Sequence, residues 1–304
     1  MSPALVLTLV TVLWGSTFIV TKDLIAQNPP LGYLTLRFAI GALSLALLCF
    51  RKLRSLDRAT VVDGLIVAAL NALGLFLQVV GQVYTTASKS SFITSLSVPL
   101  TPLCAMLLYR ARPTRAQIVA IVCASIGLGL LSYPGAALRF NPGDLCTFAC
   151  ALTFGFTIVE MSRRSRGKNA LLFATTQVAW GTLIYALAWM VAQRLAPIWH
   201  TPVLMLEARP LLFSPRFVTE LLYMGVVCTA ITSAGQMWAM ARMSATGAAI
   251  VFALEPVFAT LMALALWGAS EWPGPRGLTG IAFVLSAVAI AQIRLAGDSK
   301  VGVG

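Results

Sequence analysis

The sequence predicts an all-α polytopic membrane protein of ten transmembrane helices, built as an inverted five-plus-five repeat. Three observations predict it. Of 304 residues, 59% are hydrophobic and only 11% are charged, far less charge than a soluble domain needs to cover its surface. The apolar residues fall in successive runs of roughly 20, the length at which a helix crosses a hydrocarbon core. Two of these runs carry a mid-span proline, Pro99 and Pro256, which stand 157 positions apart, about half the chain. That spacing is the mark of an internal repeat.

Taken in order, the spans are about Pro3–Leu24, Leu31–Phe50, Val62–Tyr84, Lys89–Tyr109, Ala116–Ser132, Gly143–Ser162, Leu171–Leu195, Phe217–Ala241, Ser244–Gly268 and Leu278–Leu295. The first run, Ala4 to Ile25, is too long for a signal-peptide core and lacks a basic start, so it reads as a retained helix. No lipidation motif appears. With ten spans both termini share a side. That side's loops hold fourteen basic residues (Arg51, Lys52, Arg54, Arg58, Arg110, Arg112, Arg115, Arg163, Arg164, Arg166, Lys168, Arg242, Arg294 and Lys300) against seven on the other. The bias places both termini in the cytoplasm. It also accounts for the net charge of +12 without a nucleic-acid partner, since the basic residues punctuate apolar runs and line no single face.

The repeat divides the chain into residues 1–135 and 143–295. Five spans are an odd number, so the second half enters the membrane from the opposite side. Trp14-Gly15-Ser16-Thr17-Phe18 in span one is echoed by Phe154-Gly155-Phe156-Thr157 in span six, and Pro99 by Pro256. Two nearly equivalent halves give two nearly equivalent states that open to opposite sides, with a site near the midplane between them. The long segment Pro197–Pro215, with four prolines and Val203-Leu204-Met205-Leu206, is expected on the outer interface.

The residues expected to carry function follow from the cost of polarity in lipid. Glu255 falls mid-span, where a carboxylate is tolerable only toward protein or a wet cavity. Two roles are open to it: a structural latch onto freed backbone donors and amides, or a partner for a substrate amine or a coupling proton. Pro256 removes a donor and frees the Phe252 carbonyl, so span nine is expected to bend. Span three carries Asn71, Gly74, Gln78, Gln82 and Thr85 on one helical stripe; span four carries Ser88, Ser91, Ser95 and Pro99, with Thr94 and Ser97 beside it; span eight carries Thr229, Ser233 and Gln236. Hydroxyls in such stripes equally serve close helix packing, whereas the long amides of Gln78, Gln82 and Gln236 need partners. The same helices bear Trp14, Tyr84, Phe92, Phe154, Trp238 and Phe252. The candidate substrate-binding set is thus Trp14, Thr17, Gln78, Gln82, Tyr84, Ser91, Thr94, Ser95, Phe154, Gln236, Trp238, Phe252 and Glu255, with Gly15, Pro99, Gly155 and Pro256 as hinges. Arg37, about 9 Å inside span two at 1.5 Å per residue, is expected to snorkel outward. Glu160 is expected to pair with its neighbours Arg163 and Arg164.

Enzyme signatures are missing. The single histidine, His200, lies in the long loop, and no His-Glu-x-x-His, paired aspartates or Gly-x-Ser-x-Gly occurs. The six cysteines lie in apolar runs without metal-ligand company and read as buried free thiols. No metal and no cofactor is expected.

The pattern resembles the drug/metabolite transporter superfamily, specifically its EamA-type members. The resemblance rests on Trp14-Gly15-Ser16-Thr17-Phe18, Arg37-Phe38, Ser95-Leu96-Ser97-Val98-Pro99, Gly127-Leu128-Gly129 and Leu254-Glu255-Pro256, and it spans nearly all of the chain. It implies ten helices, the inverted repeat and export of small metabolites across the inner membrane. Among members the chain looks most like the YddG-type amino-acid exporters, although Phe154-Gly155 stands where the family's second half carries Trp-Gly. The expected function is alternating-access export of small metabolites, neutral and aromatic amino acids foremost. The expected partners are that small molecule and the lipid bilayer, for a monomer or weak dimer. The competing readings are a broad-specificity drug or cation efflux transporter and, from another class, a non-transporting membrane scaffold or receptor.

Overall fold

The computed structural model describes residues 1–85, 87–132, 141–199, 201–267 and 272–301. The expected linker between the halves, His200 and the far end of span nine lie outside these residues. Among the described residues the only regular secondary structure is helical, with no strand. Nine helices among them are long and apolar enough to cross a membrane, and a shorter apolar helix covers Arg115–Leu131.

In chain order the helices are α1 (Pro3–Gly15), α2 (Thr17–Gln27), α3 (Pro30–Cys49), α4 (Arg58–Tyr84), α5 (Ala87–Ser95), α6 (Ser97–Tyr109), α7 (Arg115–Ser132), α8 (Pro142–Arg164), α9 (Ala170–Trp199), α10 (Pro202–Glu207), α11 (Pro215–Leu222), α12 (Thr232–Met240), α13 (Ala245–Phe252), α14 (Glu255–Trp267) and α15 (Gly274–Val301). A π-helical stretch, Tyr223–Ile231, joins α11 to α12 without leaving the span. Local chemistry sets the ends. Ser2 accepts from the Leu5 N–H with Pro3 at the first helical position. Asn141 and Asp144 form a reciprocal capping box at the start of α8. Ser244 accepts from the Gly247 N–H at 3.1 Å to open α13.

The two expected bends are breaks, and they obey one rule. A proline ring clashes with the carbonyl four residues back and removes the N–H that carbonyl would accept. Four before Pro99 is Ser95, the last residue of α5; four before Pro256 is Phe252, the last residue of α13. Each proline then sits in the first turn of the next helix, where a missing donor is harmless. Pro102 lies inside α6 and does not end it. Gly155 behaves differently from Gly15. The chain turns at Ser16, between α1 and α2, whereas α8 runs unbroken through Gly155.

Two stretches differ from expectation. The segment expected as an extramembrane loop from Pro197 to Pro215 is partly helical: α9 continues through Pro197 to Trp199 and α10 follows. Helix α10 packs on α9 and α3, so its apolar residues have protein to bury against. The π-helical stretch left no sign in the hydropathy pattern, because a one-residue change in register keeps the run apolar.

Packing across the chain's midpoint is matched. Helix α1 lies against α12 and against α13–α14; α8 lies against α4 and against α5–α6; α3 lies on α9, and α7 on α15. Glycines stand at the close approaches. A Cβ on Gly15 would stand 2.9 Å from the Ala259 nitrogen in α14, and one on Gly155 would stand 3.0 Å from the Cys104 sulfur in α6. Each glycine therefore touches the helix that follows the other half's proline break. Tyr33, Phe173 and Tyr185 are fully buried inside the bundle, while Leu43, Leu47, Leu48, Leu107 and Leu187 lie exposed on its outside, as an exterior solvated by acyl chains requires.

Candidate functional site: a polar cavity at the helix breaks

The breaks open onto one cavity enclosing about 950 Å³ of non-atom space, open solvent included. Its wall is drawn evenly from the two parts of the chain. Trp14, Thr17, Arg37, Phe38, Asn71, Leu75, Gln78, Thr94, Ser95, Ser97 and Val98 come from before residue 133. Phe154, Thr157, Ile158, Gln177, Cys228, Thr229, Thr232, Ser233, Gln236, Phe252 and Glu255 come from after residue 141.

Nine of the expected binding residues are among them: Trp14, Thr17, Gln78, Thr94, Ser95, Phe154, Gln236, Phe252 and Glu255. Trp14 and Phe252 meet with ring centroids 5.5 Å apart, tilted by 33°. The Gln78 amide donates to the Thr94 hydroxyl at 3.3 Å. Hydroxyls are satisfied by carbonyls of their own span, Thr17 by that of Trp14 and Thr232 by that of Cys228. The groups with free hydrogen-bonding capacity are therefore the amides and the carboxylate. Gln177, almost fully buried, has a side-chain oxygen with no hydrogen-bond partner among the described residues. Glu255 starts α14 and makes no hydrogen bond or ion pair with a described residue.

One family model, the EamA-like transporter family, matches the chain twice, over residues 1–133 and 141–292. The chain belongs to the EamA-like transporter family. Relatives agree with that membership. An "Uncharacterized transporter" from Archaeoglobus fulgidus is 30% identical over 290 residues, covering 95% of this chain and 85% of its own. The "Uncharacterized transporter YoaV" of Bacillus subtilis is 23% identical, covering 82% and 83%. A solved crystal structure matches the fold with a TM-score of 0.71 at 17% identity, covering 95% of this chain and 96% of that one. The protein is thus a multi-pass membrane protein of a transporter family.

Four of the expected binding residues of this EamA-like chain lie off the cavity wall. Gln82 and Ser91 are buried beyond it, Tyr84 is 40% exposed at the end of α4, and Trp238 stacks under the Arg242 guanidinium at 4.3 Å. One expectation is overturned. Arg37 does not snorkel outward: it lines the cavity, is buried, and donates from Nε to the Thr229 hydroxyl at 2.9 Å and from its terminal nitrogens to the Tyr33 hydroxyl at 3.3 Å and the Cys228 carbonyl at 3.4 Å. A guanidinium with three acceptors inside the bundle has no reason to reach for water. Tyr33, one turn before Arg37, is the sign of this in the sequence. Gln177 escapes the sequence reading altogether; the polar run Thr175-Thr176-Gln177 within an apolar span is its only signal.

Ionic contacts fasten both ends of the bundle. At one end Asp63 pairs with Arg164 and Lys168, Arg164 pairs with Glu160 at 2.5 Å, and the Tyr109 hydroxyl donates to Glu160. The expected Glu160 pair thus forms with Arg164, while Arg163 lies over the Tyr109 ring. At the other end Lys89 pairs with Asp144 at 2.5 Å, and the Thr85 hydroxyl donates to the same carboxylate at 3.1 Å. Both sets join α4 or its end, the α5–α6 pair, and α8. Outside the spans, Glu207 ends α10 fully buried, with both carboxylate oxygens 3.0 Å from the Leu31 N–H at the start of α3. Burial raises its carboxyl to about 7.

Proposed function

We propose that the chain is a secondary transporter that exports small amphipathic metabolites, neutral and aromatic amino acids foremost, across the inner membrane by alternating access. The observation that carries this reading is the composition of the cavity. One buried guanidinium, Arg37, and one carboxylate without a partner among the described residues, Glu255, share a wall with Trp14, Phe38, Phe154 and Phe252. Two opposite charges with an aromatic surface suit a zwitterion with an apolar side chain, since each charged end meets a counter-charge and the remainder meets carbon. The matched packing of α1 and α8 across the midpoint supports two five-helix halves of inverted topology. In this reading residues 1–135 and 143–295 are the halves, both termini face the cytoplasm, and Pro99 and Pro256 mark where half-helices rock. The YddG-type exporters are the subfamily it fits best.

The test is flux in proteoliposomes. Reconstituted protein is expected to accelerate movement of threonine, methionine or phenylalanine over empty liposomes. Absence of flux for every amino acid would refute the cargo.

One observation favours a second reading. Glu255 has no partner among the described residues, which also suits a lipophilic cation. A resistance screen separates the two: for a cation transporter, Glu255→Gln abolishes protection against cationic toxicants, and for an amino-acid exporter there is no protection to abolish.

A further inference from the structure

The polar surface of the cavity does not stop at its wall. Gln78, Thr94 and Ser95 line the cavity, and the residue one helical turn further toward the α4–α5 turn is, in each case, polar: Gln82, Ser90 and Ser91. All three are buried, at 1%, 0% and 6% exposure. The Gln82 side-chain oxygen and the hydroxyls of Ser90 and Ser91 have no hydrogen-bond partner among the described residues. Only five buried side-chain atoms are so left in the described structure, and three of them gather here. A buried polar atom without a partner keeps its full desolvation cost, so three in one seam ask for a reason.

Lys22 supplies it. From α2 its ammonium donates to the backbone carbonyls of Gln82 and of Thr85, the latter at 2.9 Å. These are carbonyls at the C-terminal end of α4, where a helix leaves acceptors free and welcomes a cation. The contact draws α2 onto the end of α4, and α2, α4 and α5 meet one another at this point.

We propose that Gln82, Ser90 and Ser91 line a closed arm of the transport pathway, running from the cavity to the α4–α5 end of the bundle, and that Lys22 is the bolt that holds it shut. The arm is built to carry water and the hydrogen-bonding end of the cargo; in the closed state its polar groups are desolvated, and withdrawal of Lys22 rehydrates them. This rests on the transporter reading but on no particular cargo.

The experiment uses the full-length protein with its six cysteines replaced, reconstituted in liposomes. Ser91→Cys is probed with a membrane-impermeant cationic thiol reagent applied from either side. With Lys22 present, labelling is expected to be slow. In Lys22→Met, which keeps the stem and loses the charge, it is expected to rise tenfold or more, from one side only. Lys22→Gln makes the same comparison, so a single poorly assembled variant leaves the test intact; Lys22→Arg, which keeps the donor, should stay slow. Equal rates with and without the lysine, or rapid labelling in Lys22→Arg, would overturn the proposal. Because labelling needs no cargo, its failure is distinct from a failure to find amino-acid flux.

Discussion

The Arg37 guanidinium reaches the Thr229 hydroxyl across 2.9 Å, joining α3 to the π-helical stretch. The Thr229 hydroxyl itself donates five residues back, to the Met224 carbonyl at 2.8 Å, which is the spacing a π turn provides. Hydrogen bonds between membrane helices average only about 0.6 kcal/mol. Loss of an acceptor from a buried charged donor is costlier, about 1–3 kcal/mol. Thr229→Val is therefore expected to lower the thermal unfolding midpoint in detergent, and Thr229→Ser to leave it unchanged. A valine variant as stable as the parent would show that Arg37 does not depend on this bond.

Helices α7 and α15 meet through a reciprocal pair. A Cβ on Gly127 would stand 2.7 Å from the Gly280 carbonyl oxygen, and one on Gly280 would stand 2.6 Å from that of Gly127. Backbone on both sides leaves nothing flexible to give way, so alanine at either site should cost about 1–3 kcal/mol of overpacking. A Cβ on Gly129, two residues on, would meet nothing within 4 Å, and Gly129→Ala should be tolerated. Thermal unfolding of the three variants checks the contrast; equal behaviour of Gly127→Ala and Gly129→Ala would sink it.

Glu207 makes docking of α10 sensitive to pH. Docked, its carboxyl titrates near 7 because burial disfavours the charged form; released into water, it returns to about 4.3. The docked state thus binds the proton more tightly. Docking is strongest below the free value, weakens as pH rises from there to about 7, and is level above it. Hydrogen exchange over residues 202–212, corrected for the intrinsic chemical rate, is expected to be slower at pH 5 than at pH 8. In Glu207→Gln, which fixes the neutral form, that difference should vanish. A difference that persists in the glutamine variant would assign the effect elsewhere.

The cavity predicts its own accessibility. In a background without the native cysteines, Thr94→Cys and Gln236→Cys should react with a water-soluble thiol reagent, since both positions line it. Leu34→Cys, at 0% exposure in the core, should not. Unreactive cysteines at both lining positions would favour a sealed scaffold over a transporter.

Much of this molecule was legible in its residues. Run length and the scarcity of charge inside the apolar runs determined that the chain crosses a membrane repeatedly, because in lipid the helix satisfies every backbone group within its own segment. Pro99 and Pro256 determined where two of those helices break, because a proline's clash is local and falls four residues back. The stripes of Gln78, Thr94, Ser95 and Gln236 pointed to a wet interior, since amides in lipid need partners.

What only the tertiary structure decided is which polar groups share a space. Arg37 is turned inward by Thr229 and the Cys228 carbonyl, both about 190 residues away in sequence, and no local rule names such partners. Gln82 and Ser91 have the same chemistry and helical phase as Gln78 and Ser95, yet they stand beyond the wall, one turn nearer the end of α4 where α2, α4 and α5 pack together. Periodicity records the face on which a side chain lies; whether that face meets water, lipid or another helix is settled by the fold, through contacts between residues the sequence keeps far apart.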